Sequence, residues 1–423
     1  MQVVQEVGAL VERKWREENY REDSFPEIAL AALSAAELAK RLDPWDIVRW
    51  VHNAETLPAQ QDVDGRFGNP PITLFSGSRF YIDVYFWLDG TTSIHQHAFS
   101  GAFQVLLGSS IHSLYGFKEE RVINEHFSMG QLTLKEVQLL KQNDIRPIMR
   151  GRDFIHSLFH LDRPSATITI RTKHTPSASL QYDYRKPFIA IDPFFKDADT
   201  TKRIQTVSLL LSMNHPQAEK MISELVCQSD FHTAYYVLAE TFRHLIGNPM
   251  DELFKMSTGR DRFNAILGAA RTRHGELVDL LLPVLEEEER KAQLVSRRTT
   301  LTSDEHRFFL ALLLNVPDRV KILELVGQRF NERDPVDSVL DWIDELANTR
   351  VLGSRQSNSL GIEGFGPAHQ LTLEYFLRGV PLEVAFQDPE QVADINNIGS
   401  SVAAISELAR VLARSPVLKP LCT

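Results

Sequence analysis

The sequence predicts an α+β fold in which a β-rich centre lies between two helical parts. Residues 1–60 and 196–423 carry apolar side chains at helical spacing. Residues 61–195 instead consist of short runs rich in Phe, Tyr, Ile, Val and Thr, separated by glycines and prolines. Such runs are typical of a β-sandwich or barrel. We therefore predict an N-terminal helical segment over 1–60, a β-barrel over 61–195 and a helical domain over 196–423.

The N-terminal segment contains two helix starts. Ser24 is followed by Pro26 and, three residues on, by Glu27, which is a capping pattern. Asp43 directly before Pro44 indicates a second start. We expect these helices to cover one face of the barrel.

The best-defined strand runs from Phe80 to Trp87. Because strand side chains alternate between faces, Tyr81, Asp83 and Tyr85 share one face, and the apolar residues between them share the other. A Gly-Thr-Thr-Ser turn follows, and then come His95 and His97. In a strand their two imidazoles point the same way, which predicts half of a metal site.

Two residues are candidates for a third metal ligand. The run Gly151 to His160 reads as a strand, and it carries His156 and His160. Four residues apart, these two also share a face in a strand. The sequence therefore leaves the choice between them open.

The C-terminal part consists of helical stretches in pairs, separated by breaks such as His215-Pro216 and Asn315-Val-Pro317. This pattern is compatible with an α-solenoid, although no repeat consensus is present. Because more than half of the chain lies outside the barrel, we expect this part to wall the pocket, to form a homo-oligomer or to bind a protein partner.

Composition limits the possible partners. The chain has 423 residues and a formal net charge of −10, which argues against nucleic acid and anionic membranes. It has two cysteines, Cys227 and Cys422, so neither a disulfide framework nor a cysteine-based zinc site is expected. No apolar run is long enough to span a membrane, and the N-terminus lacks signal-peptide features. A cytoplasmic protein is expected.

The two histidine runs resemble the motifs of the cupin family, which has a β-barrel fold. The first cupin motif is Gly-x5-His-x-His, and here four residues separate Gly90 from His95. The second ends in His-x3-Asn, where this chain has His156-x3-His160. The resemblance implies His95, His97 and His156 as metal ligands and His160 as a partner behind them. The usual glutamate ligand is replaced by Gly101 or Ala102, which implies the three-histidine subgroup.

Within that subgroup, the run from Trp87 through Ser93-Ile-His-Gln-His97 to Leu107 resembles the thiol dioxygenases, including cysteine dioxygenase. This resemblance covers about thirty residues. Ala102 stands where that family has its crosslinking cysteine, Thr172 aligns approximately with its catalytic tyrosine, and Pro70 lies where it has its substrate-binding arginine. The resemblance therefore extends to the metal ligands and not to the substrate.

The resemblance implies Fe(II) as the cofactor. All-nitrogen ligation also suits Zn, Ni or Cu, and Mn remains open. Asp83 and Gln104 are candidates to orient the ligand rings. Candidate pocket-lining residues are Tyr81, Asp83, Tyr85, Phe99, Phe103, Gln104 and Phe154.

Three functions are compatible with these observations. The first is a non-haem iron oxygenase that acts on a small-molecule substrate with O2. The second is a metal-dependent isomerase or lyase that uses the same site. The third is a cupin sensor or binding protein whose helical domain provides the partner surface.

Overall fold

The structure is a computed structural model that describes residues 1–65, 67–88, 92–173, 180–195, 197–246, 259–349, 358, 360–362 and 364–423. Gly90, the glycine of the first cupin-like motif, lies outside these residues. The described chain forms a β-barrel flanked by an N-terminal helical segment and a large C-terminal helical region. The predicted α+β class is therefore confirmed. The domain boundaries at 60/61 and 195/196 remain predictions.

The N-terminal helices are α1 (Gln2–Glu17), α2 (Phe25–Ala36), α3 (Leu38–Arg41) and α4 (Pro44–Asn53), with a 3-10 turn at Glu22–Ser24. Asp43 caps α4 as predicted, since its carboxylate accepts a hydrogen bond from the Trp45 amide at 2.9 Å. Ser24 precedes α2, but its hydroxyl donates to the Arg21 carbonyl instead of capping the helix.

Eleven strands are found in the described residues. They are β1 (Pro71–Ser76), β2 (Phe80–Trp87), β3 (Ile94–His97), β4 (Gly101–Leu107), β5 (Ser110–Asn124), β6 (Phe127–Leu140), β7 (Ile145–Ile148), β8 (Gly151–His160), β9 (Ser165–Thr172), β10 (Asp183–Arg185) and β11 (Ile189–Ile191). One sheet has the order β1-β2-β9-β4-β7, and the remaining strands close into a barrel in the order β10-β11-β6-β5-β8-β3. This arrangement confirms the predicted β-barrel.

The two faces of β2 follow the predicted alternation. Phe80, Ile82, Val84 and Phe86 pack into an apolar core with the N-terminal helices, to which α1 contributes Val4 and α2 Leu33. The alternate residues from Tyr81 to Trp87 face the interior and line a cavity. The N-terminal helices thus cover the outside of the sheet, as the sequence predicted.

Strands β5 and β6 form a long antiparallel hairpin that the sequence did not predict in full. It extends from Ser110 paired with Leu140 to Asn124 paired with Phe127. Its far half is largely exposed and rich in charged residues, so the apolar pattern that indicates a strand is absent there.

The C-terminal helices are α5 (Ala198–Ser212), α6 (Ala218–Gln228), α7 (Phe231–Ile246), α8 (Gly259–His274), α9 (Leu281–Thr300), α10 (Asp304–Asn315), α11 (Arg319–Arg329), α12 (Pro335–Asn348), α13 (Pro367–Arg378), α14 (Leu382–Ala385), α15 (Pro389–Asn397) and α16 (Val402–Arg414). Two apolar cores join them to the barrel. One includes Ile111 and Phe159 of the strands with Phe309 of α10, and the other includes Phe127 of β6 with Phe231 of α7. None of the described helices combines the length and the hydropathy needed to cross a membrane.

Candidate metal centre

The candidate metal centre lies where β3 pairs with β8. His95 and His97 are two residues apart on β3, so their imidazoles point to the same face. His95 is the register partner of His156 on β8, and the pairing shifts between His95 and His97. All three side chains are buried. Each offers a ring nitrogen, and these nitrogens all lie within 4.8 Å of one another.

The spacing of these nitrogens fits ligands on a single ion. The Nε2 atoms of His97 and His156 are 2.8 Å apart. The His95 ring centroid is 4.6 Å from that of His97 and 4.8 Å from that of His156. A histidine nitrogen binds zinc at roughly 2.0–2.1 Å, so two such nitrogens at a right angle around the ion lie about 3 Å apart.

The three imidazoles are neutral at pH 7. Burial lowers the pKa of His95, and it lowers the pKa of His97 and His156 to well below the usual 6.5. The positive charge of Arg171 adds to the lowering at His95 and His97. Each ring therefore keeps a lone pair, which metal binding requires.

Hydrogen bonds on the far side of two rings orient their lone pairs toward the centre. Nδ1 of His95 lies 2.8 Å from the Ser93 carbonyl oxygen, to which it donates a hydrogen bond. Nδ1 of His156 lies 3.1 Å from Nε2 of His112. With Nε2 of His156 directed at the group, its Nδ1 carries the proton and donates to His112.

His112 was not among the residues that the sequence analysis selected. It lies on β5 and is buried, and burial lowers its pKa to about 3. Strand alternation from Ile111 to Tyr115 is compatible with an inward-facing His112, but the sequence contains no sign of its contact with His156. That contact depends on the pairing of β5 with β8, in which Leu114 lies opposite His156.

His160, the other candidate for the third metal ligand, lies apart from the centre. Its Nδ1 hydrogen-bonds the hydroxyls of Ser110 and Ser165 at 3.1 and 2.9 Å. Its ring stacks on Trp87 with the centroids 4.4 Å apart. Among the described residues the structure thus groups His156 with His95 and His97, and it shows no contact of His160 with these three rings.

A cavity of about 310 Å³ adjoins the three histidines. Five of the predicted lining residues surround it, namely Tyr81, Asp83, Tyr85, Phe99 and Phe103. Phe154 is not in its wall; the phenyl ring packs against His156, with the centroids 4.5 Å apart. The cavity is therefore largely aromatic beside the metal centre.

Gln104 does not lie in the cavity, contrary to the prediction. Its neighbours at alternate positions, Ala102 and Leu106, pack into the core beneath the N-terminal helices. Phe103 faces the cavity. Since adjacent strand residues point to opposite faces, Phe103 and Gln104 cannot both line it.

Asp83 faces the cavity, but no hydrogen bond joins it to a histidine in the part of the chain that the structure describes. Its Oδ2 accepts a hydrogen bond from the Tyr85 hydroxyl at 3.0 Å. Its Oδ1 is buried without a hydrogen-bond partner in that part. Burial raises the pKa of the carboxyl group. The suggested role in orienting a ligand ring therefore belongs to Ser93 and His112 instead.

Arg171 is a second residue that the sequence analysis missed. It lies on β9, between Tyr81 of β2 and Gly101 of β4, and it lines the cavity. Its guanidinium carbon is 3.2 Å from the centroid of the Phe99 ring. Alternation through Thr167, Thr169 and Arg171 was the available signal, because these three side chains share a face.

The backbone at Gly101 explains why the site has no carboxylate from β4. A Cβ atom at Gly101 would lie 2.0 Å from the Ile170 carbonyl oxygen, so any side chain there would clash with β9. Ala102, the other position where cupins place the glutamate, points into the opposite core. Neither Gly101 nor Ala102 is therefore a position from which β4 could place a carboxylate at the metal centre.

No family model matches the chain, and no curated protein matches it. Solved structures similar to part of it include hydroquinone 1,2-dioxygenase from Sphingomonas sp. TTNP3, with 9% identity, 26% of this chain and 68% of that chain covered, and a TM-score of 0.20. A cupin-2 domain protein from Rhodospirillum rubrum has 14% identity, coverage of 31% and 76%, and a TM-score of 0.21. A protein with a double-stranded β-helix domain from Klebsiella pneumoniae has 13% identity, coverage of 30% and 99%, and a TM-score of 0.20. These values are too low to transfer an activity to this chain.

Proposed function

We propose that this protein is a mononuclear non-haem iron oxygenase that binds Fe(II) through His95, His97 and His156. The supporting observation is the convergence of three neutral imidazoles beside a cavity, with no carboxylate in the group among the described residues. Three protein ligands leave coordination positions for other molecules. Bound Fe(II) would supply the redox chemistry that O2 activation requires.

The donor set fits a first-row divalent metal. Neutral imidazole suits Fe, Zn, Cu and Ni, and affinity alone does not select among them. The two orienting contacts described above, from the Ser93 carbonyl and from His112, provide the outer support that histidine ligands usually have. Iron is proposed because of the resemblance to three-histidine cupins.

The residues around the cavity would exclude water and hold the substrate beside the centre. Phe99 and Phe103 line its wall with apolar rings. Phe99 also contacts His97, with the ring centroids 4.4 Å apart. Such a wall lowers the local polarity and limits the approach of solvent to the reacting groups.

Elemental analysis of the protein as purified, together with variants, tests this proposal. We expect about one iron per chain in the wild type, loss of metal in His95→Ala and retention in His160→Gln, the matched control on the same barrel. Oxygen uptake by the Fe(II)-loaded protein is then measured with a panel of small organic compounds.

Wild-type protein without metal, or unchanged metal content in His95→Ala, contradicts the metal centre. Stoichiometric metal without oxygen uptake for any compound contradicts the oxygenase activity, and it favours a metal-dependent isomerase or lyase.

A further inference from the structure

Arg171 brings a positive charge into the same cavity as the candidate metal centre. The cavity wall includes both Arg171 and the three histidines. Phe99 links them, since its ring contacts both the guanidinium of Arg171 and the imidazole of His97. A molecule beside the metal centre is therefore within reach of the arginine.

The arginine has no anionic partner in the described part of the protein. No carboxylate oxygen there lies within 4.0 Å of its nitrogens, although ion pairs at that distance occur at other arginines, such as Arg329 with Asp162. Its Nε is buried and has no hydrogen-bond partner among the described residues. A buried guanidinium donor without an acceptor is unfavourable, so this site favours a ligand that supplies one.

Asp62 and Asp83 are the carboxylates in the cavity wall, and neither forms an ion pair with Arg171 in the described part of the chain. Oδ2 of Asp83 accepts from Tyr85, and Oδ1 of Asp83 has no partner among the described residues. The Asp83 carboxylate and the guanidinium thus share a cavity without forming an ion pair. Burial raises the pKa of Asp83, and the positive charge of Arg171 acts against that rise.

The rest of the wall near Arg171 suits a small acid. Tyr81 lies beside the guanidinium, whose carbon is 5.2 Å from its ring centroid. Aromatic rings that contact a guanidinium hold it in place by cation–π attraction while its N–H groups stay available. The cavity volume of about 310 Å³ is at the lower end of the range for small-molecule sites.

We propose that Arg171 binds the carboxylate of the substrate, so that the substrate class is small organic acids whose opposite end faces the three histidines. This inference rests on the proposed function, because it places the other end of the acid at the metal. Arginine is suited to carboxylates because its N–H groups match the two oxygens of the anion.

The test compares a charged probe with a neutral one on the metal-loaded protein. Co(II) is added as a spectroscopic probe for the metal, and its visible absorption is titrated at pH 8 with imidazole-4-acetate and with its neutral amide. We expect the wild type to bind the acid at least about tenfold more tightly than the amide, in line with a charge-assisted hydrogen bond. In Arg171→Gln the two affinities should agree within about twofold.

Two further variants make the result specific. Arg121→Gln removes an exposed arginine from the distant end of β5, and it should keep the full preference for the acid. Arg171→Met keeps an apolar stem against Phe99, and it replaces Arg171→Gln if that variant does not fold. Circular dichroism and the Co(II) spectrum before probe addition check the fold and the metal centre of each variant.

The outcomes separate this inference from the proposed function. If the Co(II) spectrum never develops, the metal centre is absent and both proposals fail. If Co(II) binds but the wild type does not discriminate between acid and amide, only the role of Arg171 is contradicted. A preference that survives in Arg171→Gln or Arg171→Met also contradicts that role.

Discussion

Nε2 of His112 lies 3.1 Å from Nδ1 of His156, on the side of the His156 ring that faces away from the metal group. Such a contact fixes the tautomer and the direction of a ligand ring. His112 is itself uncharged at pH 7, because burial lowers its pKa to about 3. It therefore acts as an acceptor that holds a proton on the outer nitrogen of His156.

This contact predicts that His112→Phe weakens metal binding by about 10–100-fold. The phenyl ring retains the bulk but offers no acceptor to His156. Competition between the protein and a chelator of known affinity for Co(II) measures the change. His112→Gln, whose side-chain oxygen accepts a hydrogen bond, should recover part of the affinity. Equal affinities of His112→Phe and the wild type would show that the contact has no role in metal binding.

The metal itself should stabilise the fold. A ligand that binds only the native state at 100 times its Kd adds about 2.7 kcal/mol to the free energy of unfolding. We expect the midpoint temperature of thermal unfolding of the wild type to rise when divalent metal is added. It should return to its original value when a chelator removes the metal. His97→Ala should show no shift under the same conditions. A similar shift in both proteins would mean that the metal binds outside the three histidines.

His160 should make stability depend on pH. Burial lowers its pKa to about 3 in the folded protein, whereas an unfolded histidine titrates near 6.5. The unfolded chain therefore binds a proton at a higher pH than the folded one does. The stabilisation from neutral His160 is complete above about pH 6.5, and it is lost as the pH falls toward about 3.

The expected slope from this one residue is about 1.4 kcal/mol per pH unit within that window. Urea denaturation of the wild type and of His160→Gln at pH 7, 6 and 5 measures it. As the pH falls, the free energy of unfolding of the variant should decrease less steeply than that of the wild type. The difference between the two slopes should correspond to about one proton. Parallel curves for the two proteins would contradict the lowered pKa.

Gly101 should be intolerant of substitution. A Cβ there would lie 2.0 Å from the Ile170 carbonyl oxygen, which is backbone and cannot rotate away. We expect Gly101→Ala to destabilise the protein by at least about 1–3 kcal/mol, the usual range for overpacking. Denaturant unfolding provides the measurement.

The matched control for this substitution is Gly268→Ala. Gly268 lies within α8, and a Cβ atom at that position would meet nothing within 4 Å. Alanine should stabilise the helix there by up to about 1 kcal/mol, because it is the better helix former. Similar effects of the two substitutions, in sign and size, would rule out crowding at Gly101 as the cause.

Local sequence patterns were sufficient to predict the barrel and the first two histidines of the candidate metal centre. Alternation assigned the two faces of β2 correctly, and the His95-x-His97 spacing indicated two rings on one face. The choice between His156 and His160 depends on strand register, since both share a face of β8. Only the pairing of His95 with His156 distinguishes them, and that pairing joins residues far apart in the chain.

The errors and omissions have similar causes. Which face of β4 points inward depends on the helices that cover the other one, so Gln104 was assigned to the wrong face. His112 and Arg171 gain their significance from partners on other strands, namely His156 and Phe99. A single sequence carries no record of such contacts.

The buried guanidinium of Arg298 on α9 donates to the backbone carbonyls of His160 and Leu161 at 3.3 and 2.9 Å. Those carbonyls end the strand that carries His156, and Phe159 and Leu161 share a core with α10. A fragment cut between residues 195 and 196 would expose that core and aggregate. A protease should accordingly release no stable barrel from the intact protein, so the metal centre would persist only while the helical part stays attached.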